Sequence, residues 1–198
     1  MAKKRRSFER LPGVRPYRRL FVVAVEGMKT EPDYFNIVKT FQPKVEIRIL
    51  CEKFHTAPDK VLQRIQRFIK SNDLKPTDEA WVVVDKDQWP DEQLLKVFNW
   101  TTRKPNYGLA LSNPKFEFWL LLHFEDGKGI STSQDCSTQL KRHLPHYDKG
   151  VDARKISLEQ VGEAIRRAKM RDVPPCVDWP RSAGGTTVYR LIQKILDE

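Results

Sequence analysis

The chain has 198 residues, enough for one compact domain, and its hydrophobic fraction of 39% includes ten Phe and five Trp that can build an apolar core. No apolar run approaches the roughly 18 residues that a membrane-spanning helix needs, and the charged amino terminus lacks the apolar stretch of a signal peptide. We therefore expect a cytoplasmic protein without a membrane partner.

The formal net charge of +10 is concentrated at the amino terminus. Residues 1–19 contain the acid Glu9 and eight basic residues: Lys3, Lys4, Arg5, Arg6, Arg10, Arg15, Arg18 and Arg19. They contribute +7, which leaves only +3 for residues 20–198. We predict a flexible basic arm at residues 1–19 that contacts nucleic acid phosphates without reading sequence. The alternative is a tail that only keeps the protein soluble.

Strands and helices alternate along the chain after this arm. Continuous apolar runs predict strands that are buried on both faces, and alternation of apolar residues predicts the strand at 45–50. Helical spacing of apolar residues predicts the segments between the strands. The predicted order is strand 20–25, helix 30–40, strand 45–50, helix 58–70, strand 80–84, helix 91–103, strand 107–111 and a helix from Asn113-Pro114 to Phe124. This order predicts an α/β fold with a parallel, four-stranded, Rossmann-like sheet flanked by helices.

The pattern changes after the α/β core at residues 20–126. Residues 127–198 are predicted to form a helical portion that packs on the core, with helices near 133–144, 157–169 and 188–196. The loop at residues 181–187 precedes the last helix and contains Gly184-Gly185. Together with Arg181, the backbone N–H groups of such a loop can bind a phosphate, or the loop simply caps the helix.

Three acidic residues directly follow two of the predicted strands. Glu26 follows the first strand, and Asp85 and Asp87 follow the third with Lys86 between them. Because the carboxyl ends of parallel strands form one edge of a sheet, we expect these carboxylates to lie together. Such carboxylates repel one another unless a cation such as Mg²⁺ binds among them. If the segment is extended, Asp85 and Asp87 point the same way and both face the ion, while Lys86 faces elsewhere. The alternative is that all three are ordinary loop acids.

Three further residues are candidates at the same edge. Glu117 lies in the first turn of the helix after the fourth strand, where it completes a second metal site or only complements the helix dipole. Asn113 caps that helix or contacts substrate. Lys29 follows Glu26 and is a candidate phosphate contact, whereas Glu31 is interpreted as a first-turn acid rather than a ligand.

The segments around these acids resemble known proteins. Glu26 after the first strand and the Asp85-Lys86-Asp87 motif after the third resemble the Toprim domain of topoisomerases, primases and overcoming-lysogenization-defect nucleases. The sequences EGMKTEPDYF at residues 26–35 and SNPKFEFWLLLHF at residues 112–124 are more closely similar to the RloB-like family. The resemblance extends over about residues 18–197.

This resemblance implies a Toprim-type fold, a bacterial origin and Mg²⁺-dependent phosphodiester chemistry, with Mn²⁺ as a possible substitute. Glu26 would be a metal ligand or general acid/base, and Asp85 and Asp87 would be the metal pair. The function that follows is a nuclease that cleaves DNA or RNA in anti-phage defence by abortive infection, with a protein of the same defence operon as a further partner. The alternatives are a non-catalytic subunit that binds nucleic acid or a partner, and a primase-like nucleotidyl transferase.

Overall fold

The structure is a computed structural model that describes residues 18–54, 56–87, 89–148 and 150–198. The basic arm predicted for residues 1–19 lies outside these residues, except for its last two. The elements in chain order are β1 (Arg19–Val25), α1 (Thr30–Phe41), β2 (Val45–Leu50), α2 (Pro58–Ser71), β3 (Glu79–Asp85), α3 (Asp91–Thr101), β4 (Tyr107–Asn113), α4 (Phe116–Leu121), α5 (Ser133–His143), a short 3₁₀ helix (Ala153–Lys155), α6 (Leu158–Arg171), β5 (Gly185–Thr186) and α7 (Val188–Leu196).

The sheet has five strands in the order β2-β1-β3-β4-β5. The four predicted strands are β1 to β4, and all of them are parallel, so their carboxyl ends lie at one edge of the sheet. The predicted number of strands differs from the structure because β5, which is only two residues long, pairs antiparallel with the end of β4. No described helix is long and apolar enough to span a membrane.

Helices cover both faces of the sheet because its central strands are apolar on both sides. Val23 and Val83 belong to one core cluster, which also contains buried side chains of α1, α4, α5, α6 and α7. Val22 and Val82 belong to the other cluster, which contains buried side chains of α2 and α3. The helices of residues 127–198 therefore share a core with one face of the sheet.

The helix after β4 begins later in the chain than the sequence predicted. Asn113 is the last residue of β4, where it pairs with Gly185, so it does not cap the following helix. Lys115 occupies the N-cap position of α4, and the helix ends at Leu121 rather than continuing to Phe124. The pairing with β5 extends β4 by two residues beyond its apolar run and moves the start of the helix.

Candidate functional site

A cavity of about 390 Å³ opens at the carboxyl edge of the sheet. The end of β1 and the start of α1 form one wall, the loop after β2 contributes Thr56, and the end of β3 and the start of α4 form the other wall. Its lining residues are Glu26, Gly27, Met28, Lys29, Thr30, Glu31, Thr56, Asp85, Phe116 and Glu117. The structure thus brings together Glu26, Asp85, Glu117 and Lys29 from the set that the sequence predicted.

Glu26 is held at the centre of this edge by two hydrogen bonds. The backbone N–H of Asp85 donates to Glu26 Oε2 at 3.2 Å, and the indole Nε1 of Trp89 donates to Glu26 Oε1 at 3.2 Å. The first contact exists because β1 and β3 are hydrogen-bonded neighbours that end side by side. The orientation of the Glu26 carboxylate is therefore fixed by the neighbouring strand and by the loop that follows it.

Burial and negative neighbours raise the pKa values of these acids. Burial raises the pKa of Glu26 to about 7, with smaller contributions from the charges of Glu31 and Asp87, against the two hydrogen bonds that lower it. Burial also raises the pKa of Asp85 well above its usual range, and the charges of Glu31, Glu26 and Glu117 add to it. Removing like charges from water beside one another is unfavourable. The cavity is therefore suited to bind a cation, or protons in its place.

Glu31 is a cavity residue that the sequence assigned to a first-turn role. Its side chain turns back so that the backbone N–H of Gly27 donates to Glu31 Oε1 at 2.9 Å. A Cβ atom at position 27 would collide with the Glu31 carboxylate, so this close approach requires glycine. The signal in the sequence is the glycine four residues before the acid.

Tyr147 connects the two walls of the cavity. Its hydroxyl donates to Glu117 Oε1 at 3.1 Å and lies 2.8 Å from Thr30 Oγ1. Burial raises the pKa of Tyr147, and the charge of Glu117 adds to the rise, so the hydroxyl stays a proton donor at neutral pH. No local sequence pattern indicates a role for this residue, because it lies in the loop after α5, thirty residues from Glu117.

Asp87 is placed differently from the other acids. β3 ends at Asp85, and Asp87 lies in a turn with a φ of +27°, so the alternation of an extended strand does not reach it. Its side chain is exposed, and its backbone N–H donates to the Pro114 carbonyl at 2.8 Å. Lys86 points elsewhere, as expected, and pairs with Asp91 at 3.2 Å. Asp87 acts on Glu26 through its charge, and its role as a ligand stays a prediction.

The predicted substrate contacts fall in two places. Lys29 is exposed at the acidic cavity. Asn113 Nδ2 instead donates to the carbonyls of Pro180 and Arg181 at 3.0 and 3.1 Å, which fastens the loop before β5. Arg181 packs its guanidinium 4.0 Å from the Trp179 ring centroid and pairs with Asp91 at 3.1 Å. Asn113 therefore positions a loop, and Arg181 is engaged with acids outside the cavity.

The side chains of the cavity have the donor chemistry that Mg²⁺ prefers. Within the described residues, no three His, Cys, Asp or Glu side chains are already arranged as a ligand group for a metal ion. Mg²⁺ commonly takes one or two protein carboxylates and fills its other positions with water and substrate phosphates. The carboxylates of Glu26 and Asp85 fit this requirement, since both line the cavity as oxygen donors and their ionised forms are disfavoured by burial and by neighbouring negative charge.

Comparison with known proteins agrees with the motifs at this edge. No curated protein and no solved structure matches the chain. The family model described as RloB-like protein matches residues 21–195, a range that begins within β1 and ends within α7. The matched range also contains Glu26, Asp85, Asp87 and Glu117. The chain therefore belongs to the RloB-like family.

Proposed function

We propose that this protein is a Mg²⁺-dependent phosphodiesterase that cleaves nucleic acid in bacterial anti-phage defence, by abortive infection. The observation that carries the proposal is the contact between Glu26 and the Asp85 backbone at the end of two parallel strands, in a cavity shared with Glu31 and Glu117. Sites of open parallel sheets form at this edge. Family membership supports the biological setting, and the Toprim-like order of the acids supports the chemistry.

The residues of the cavity would have different roles in the cleavage of a phosphodiester. Glu26 and Asp85 would hold the Mg²⁺ ion, with Asp87 as a further carboxylate beside Glu26. When bound, the ion activates water and neutralises the charge that develops on the phosphate. Lys29 at the cavity attracts the substrate phosphate. Glu117 is oriented by Tyr147 and can accept the proton of the attacking water.

Incubation of the full chain with labelled substrates tests this function. Single- and double-stranded DNA and RNA, and labelled nucleotides, would each be incubated with Mg²⁺, with Mn²⁺ or with EDTA. We expect metal-dependent shortening of a nucleic acid and its loss in Asp85→Asn. Asp73→Asn is the matched control, because Asp73 is an exposed acid before β3, at the opposite edge of the sheet. Cleavage that persists in EDTA or in Asp85→Asn would contradict the proposal.

The same experiment distinguishes two other functions. The first is a binding subunit without activity, for which the cationic side chains Lys60, Arg67 and Lys70 on the outer side of α2 offer contacts to phosphates. It would retain nucleic acid without turnover under every condition. A primase-like nucleotidyl transferase would use the same acids, and it would lengthen a strand from labelled nucleotides instead of shortening it.

A further inference from the structure

The loop between β2 and α2 exposes an aromatic ring beside the acidic cavity. Phe54 is 69% exposed, and among the residues that the structure describes it is the only aromatic residue with an exposed side chain. Two residues further on, Thr56 lines the cavity of Glu26 and Asp85. The ammonium group of Lys53 lies 5.7 Å from the centroid of the Phe54 ring. An apolar ring and a cation are thus presented together at the rim of the candidate site.

A basic depression lies on the other side of this loop. It has a volume of about 560 Å³ and follows the outer side of α2, with the lining residues Glu52, Lys60, Gln63, Gln66, Arg67 and Lys70. Three of these side chains are cationic, and the single acid, Glu52, is paired with Arg67 at 3.1 Å. Glu52 lines this depression and Thr56, four positions later in the chain, lines the acidic cavity, so the two surfaces adjoin the same loop.

Exposed aromatic rings and cationic grooves together are the means by which proteins bind single-stranded nucleic acid. Bases stack on the ring whatever their identity, and the groove follows the phosphates. A duplex cannot offer the face of a base to Phe54, because its bases are stacked on one another.

We propose that residues 51–54, 56 and 57 and the outer side of α2 form a binding track for single-stranded nucleic acid. One unpaired base stacks on Phe54, neighbouring phosphates contact Arg67 and Lys70, and the strand continues to the cavity of Glu26 and Asp85. This inference rests on the proposed function, because it names the class of substrate that the acidic site would cleave.

Binding measured in EDTA tests the stacking on Phe54 without requiring cleavage. Fluorescence anisotropy of short labelled single strands should show that Phe54→Ala weakens binding roughly 5- to 100-fold. Phe54→Tyr, which keeps an aromatic face, should bind like wild type, whereas Phe54→Leu should not. Leu158→Ala is the control, because Leu158 is 51% exposed at the start of α6. Unchanged affinity of Phe54→Ala, or equally tight binding of the duplex, overturns the inference and leaves a protein contact as the explanation of the exposed ring.

The salt dependence of binding tests the basic side of the track. The slope of log K against log salt is negative, and each phosphate contact that is lost reduces its magnitude by about 0.7 for a single strand. Arg67→Gln combined with Lys70→Gln should therefore reduce the magnitude of the slope by about 1.4. The control, Arg103→Gln combined with Lys104→Gln, removes the same charge just before β4, at the opposite edge of the sheet, and should leave the slope unchanged. Equal reductions in both double variants would place the phosphates elsewhere.

The two proposals fail in different ways. If the wild-type chain binds single strands through Phe54 but never cleaves them with Mg²⁺, the binding track is supported and the nuclease function is excluded. If the wild-type chain cleaves nucleic acid and Phe54→Ala binds and cleaves equally well, the nuclease function is supported and the binding track is excluded. A chain that binds no single strand at all overturns the track.

Discussion

The backbone N–H of Asp85 donates a hydrogen bond to Glu26 Oε2 at 3.2 Å, and this contact joins the ends of two neighbouring parallel strands. It places two carboxylates at the mouth of one cavity, where Glu31 and Glu117 add further negative charge. Burial and mutual repulsion raise the pKa values of both Glu26 and Asp85. The site is therefore least stable when its acids are ionised and no cation is present.

The affinity for Mg²⁺ should depend on pH through Glu26. Its pKa of about 7 means that an ion has to displace a proton at lower pH, since metal ligands bind in their deprotonated form. We expect the dissociation constant for Mg²⁺ to decrease at least about tenfold between about pH 6 and pH 8, since the raised pKa of Asp85 adds to the pH dependence of Glu26. Isothermal titration calorimetry of the full chain measures this. A dissociation constant that is the same throughout this range would exclude Glu26 as a ligand.

Glu26→Gln should stabilise the metal-free protein at high pH. The folded pKa of about 7 lies above the ordinary value of 4.5, so the folded state binds more protons between these values and stability falls as pH rises through this window. Gln resembles the protonated acid and avoids this loss. Because Glu26 is partly exposed, we expect a gain of about 1–2 kcal/mol at about pH 8 and almost none at about pH 4.

Urea unfolding at the two pH values measures this difference. Asp73→Asn, an exposed acid at the opposite edge, should change stability little at either pH. A Glu26→Gln variant that is less stable than wild type at both values would show that the ionised carboxylate is stabilised by its surroundings.

Tyr147→Phe should impair the site more than the fold. The hydroxyl orients Glu117 and contacts Thr30, and a hydrogen bond of this kind contributes about 0.5–1.5 kcal/mol to stability. We expect a loss of about 1 kcal/mol in unfolding and about a tenfold slower cleavage, with the affinity for nucleic acid in EDTA unchanged. Tyr107→Phe, at the start of β4 and so at the opposite edge, is the matched control. Cleavage at the wild-type rate by a destabilised Tyr147→Phe would leave Tyr147 a purely structural role.

Gly27→Ala should displace the Glu31 carboxylate. The added Cβ atom collides with that group, which also accepts the hydrogen bond from the Gly27 N–H. We expect about a tenfold weaker affinity for Mg²⁺ and a loss of about 1–2 kcal/mol in unfolding. Gly162→Ala is the control, since Gly162 lies in α6 with no atom near its added Cβ, and it should gain about 0.5–1 kcal/mol. If Gly27→Ala bound Mg²⁺ as tightly as wild type, Glu31 would not contribute to metal binding.

Strands β1, β3 and β4 could be predicted because each contains an apolar run that the sheet buries on both faces, and β2 because its apolar residues alternate with polar ones. β5 could not, since Gly185 and Thr186 are too few to form a pattern, and their pairing with Asn113 and Ser112 depends on the folded chain. The same pairing explains why Asn113, which resembles an N-cap in the sequence, ends a strand instead. Local patterns therefore predicted the parallel sheet but not its antiparallel edge.

The site was predictable where it depends on the ends of strands. Glu26 and Asp85 meet because β1 and β3 are neighbours, whereas the α/β order of elements predicts only that the carboxyl ends of the strands lie at one edge. Asp87 departs from the prediction because the strand ends two residues earlier. The role of Tyr147 could not be predicted from the sequence, because only the folded chain brings its loop, in the helical portion, to Glu117.

The rate at which the full chain cleaves a labelled single strand, as a function of Mg²⁺ concentration, tests the central claim most directly. Wild type, Asp85→Asn and the control Asp73→Asn would be compared at about pH 8, where Glu26 is mostly ionised. The acidic site predicts Mg²⁺-dependent cleavage by wild type and Asp73→Asn, and a rate at least about 100-fold lower for Asp85→Asn. Equal rates for all three proteins, or rates that EDTA does not change, would contradict it.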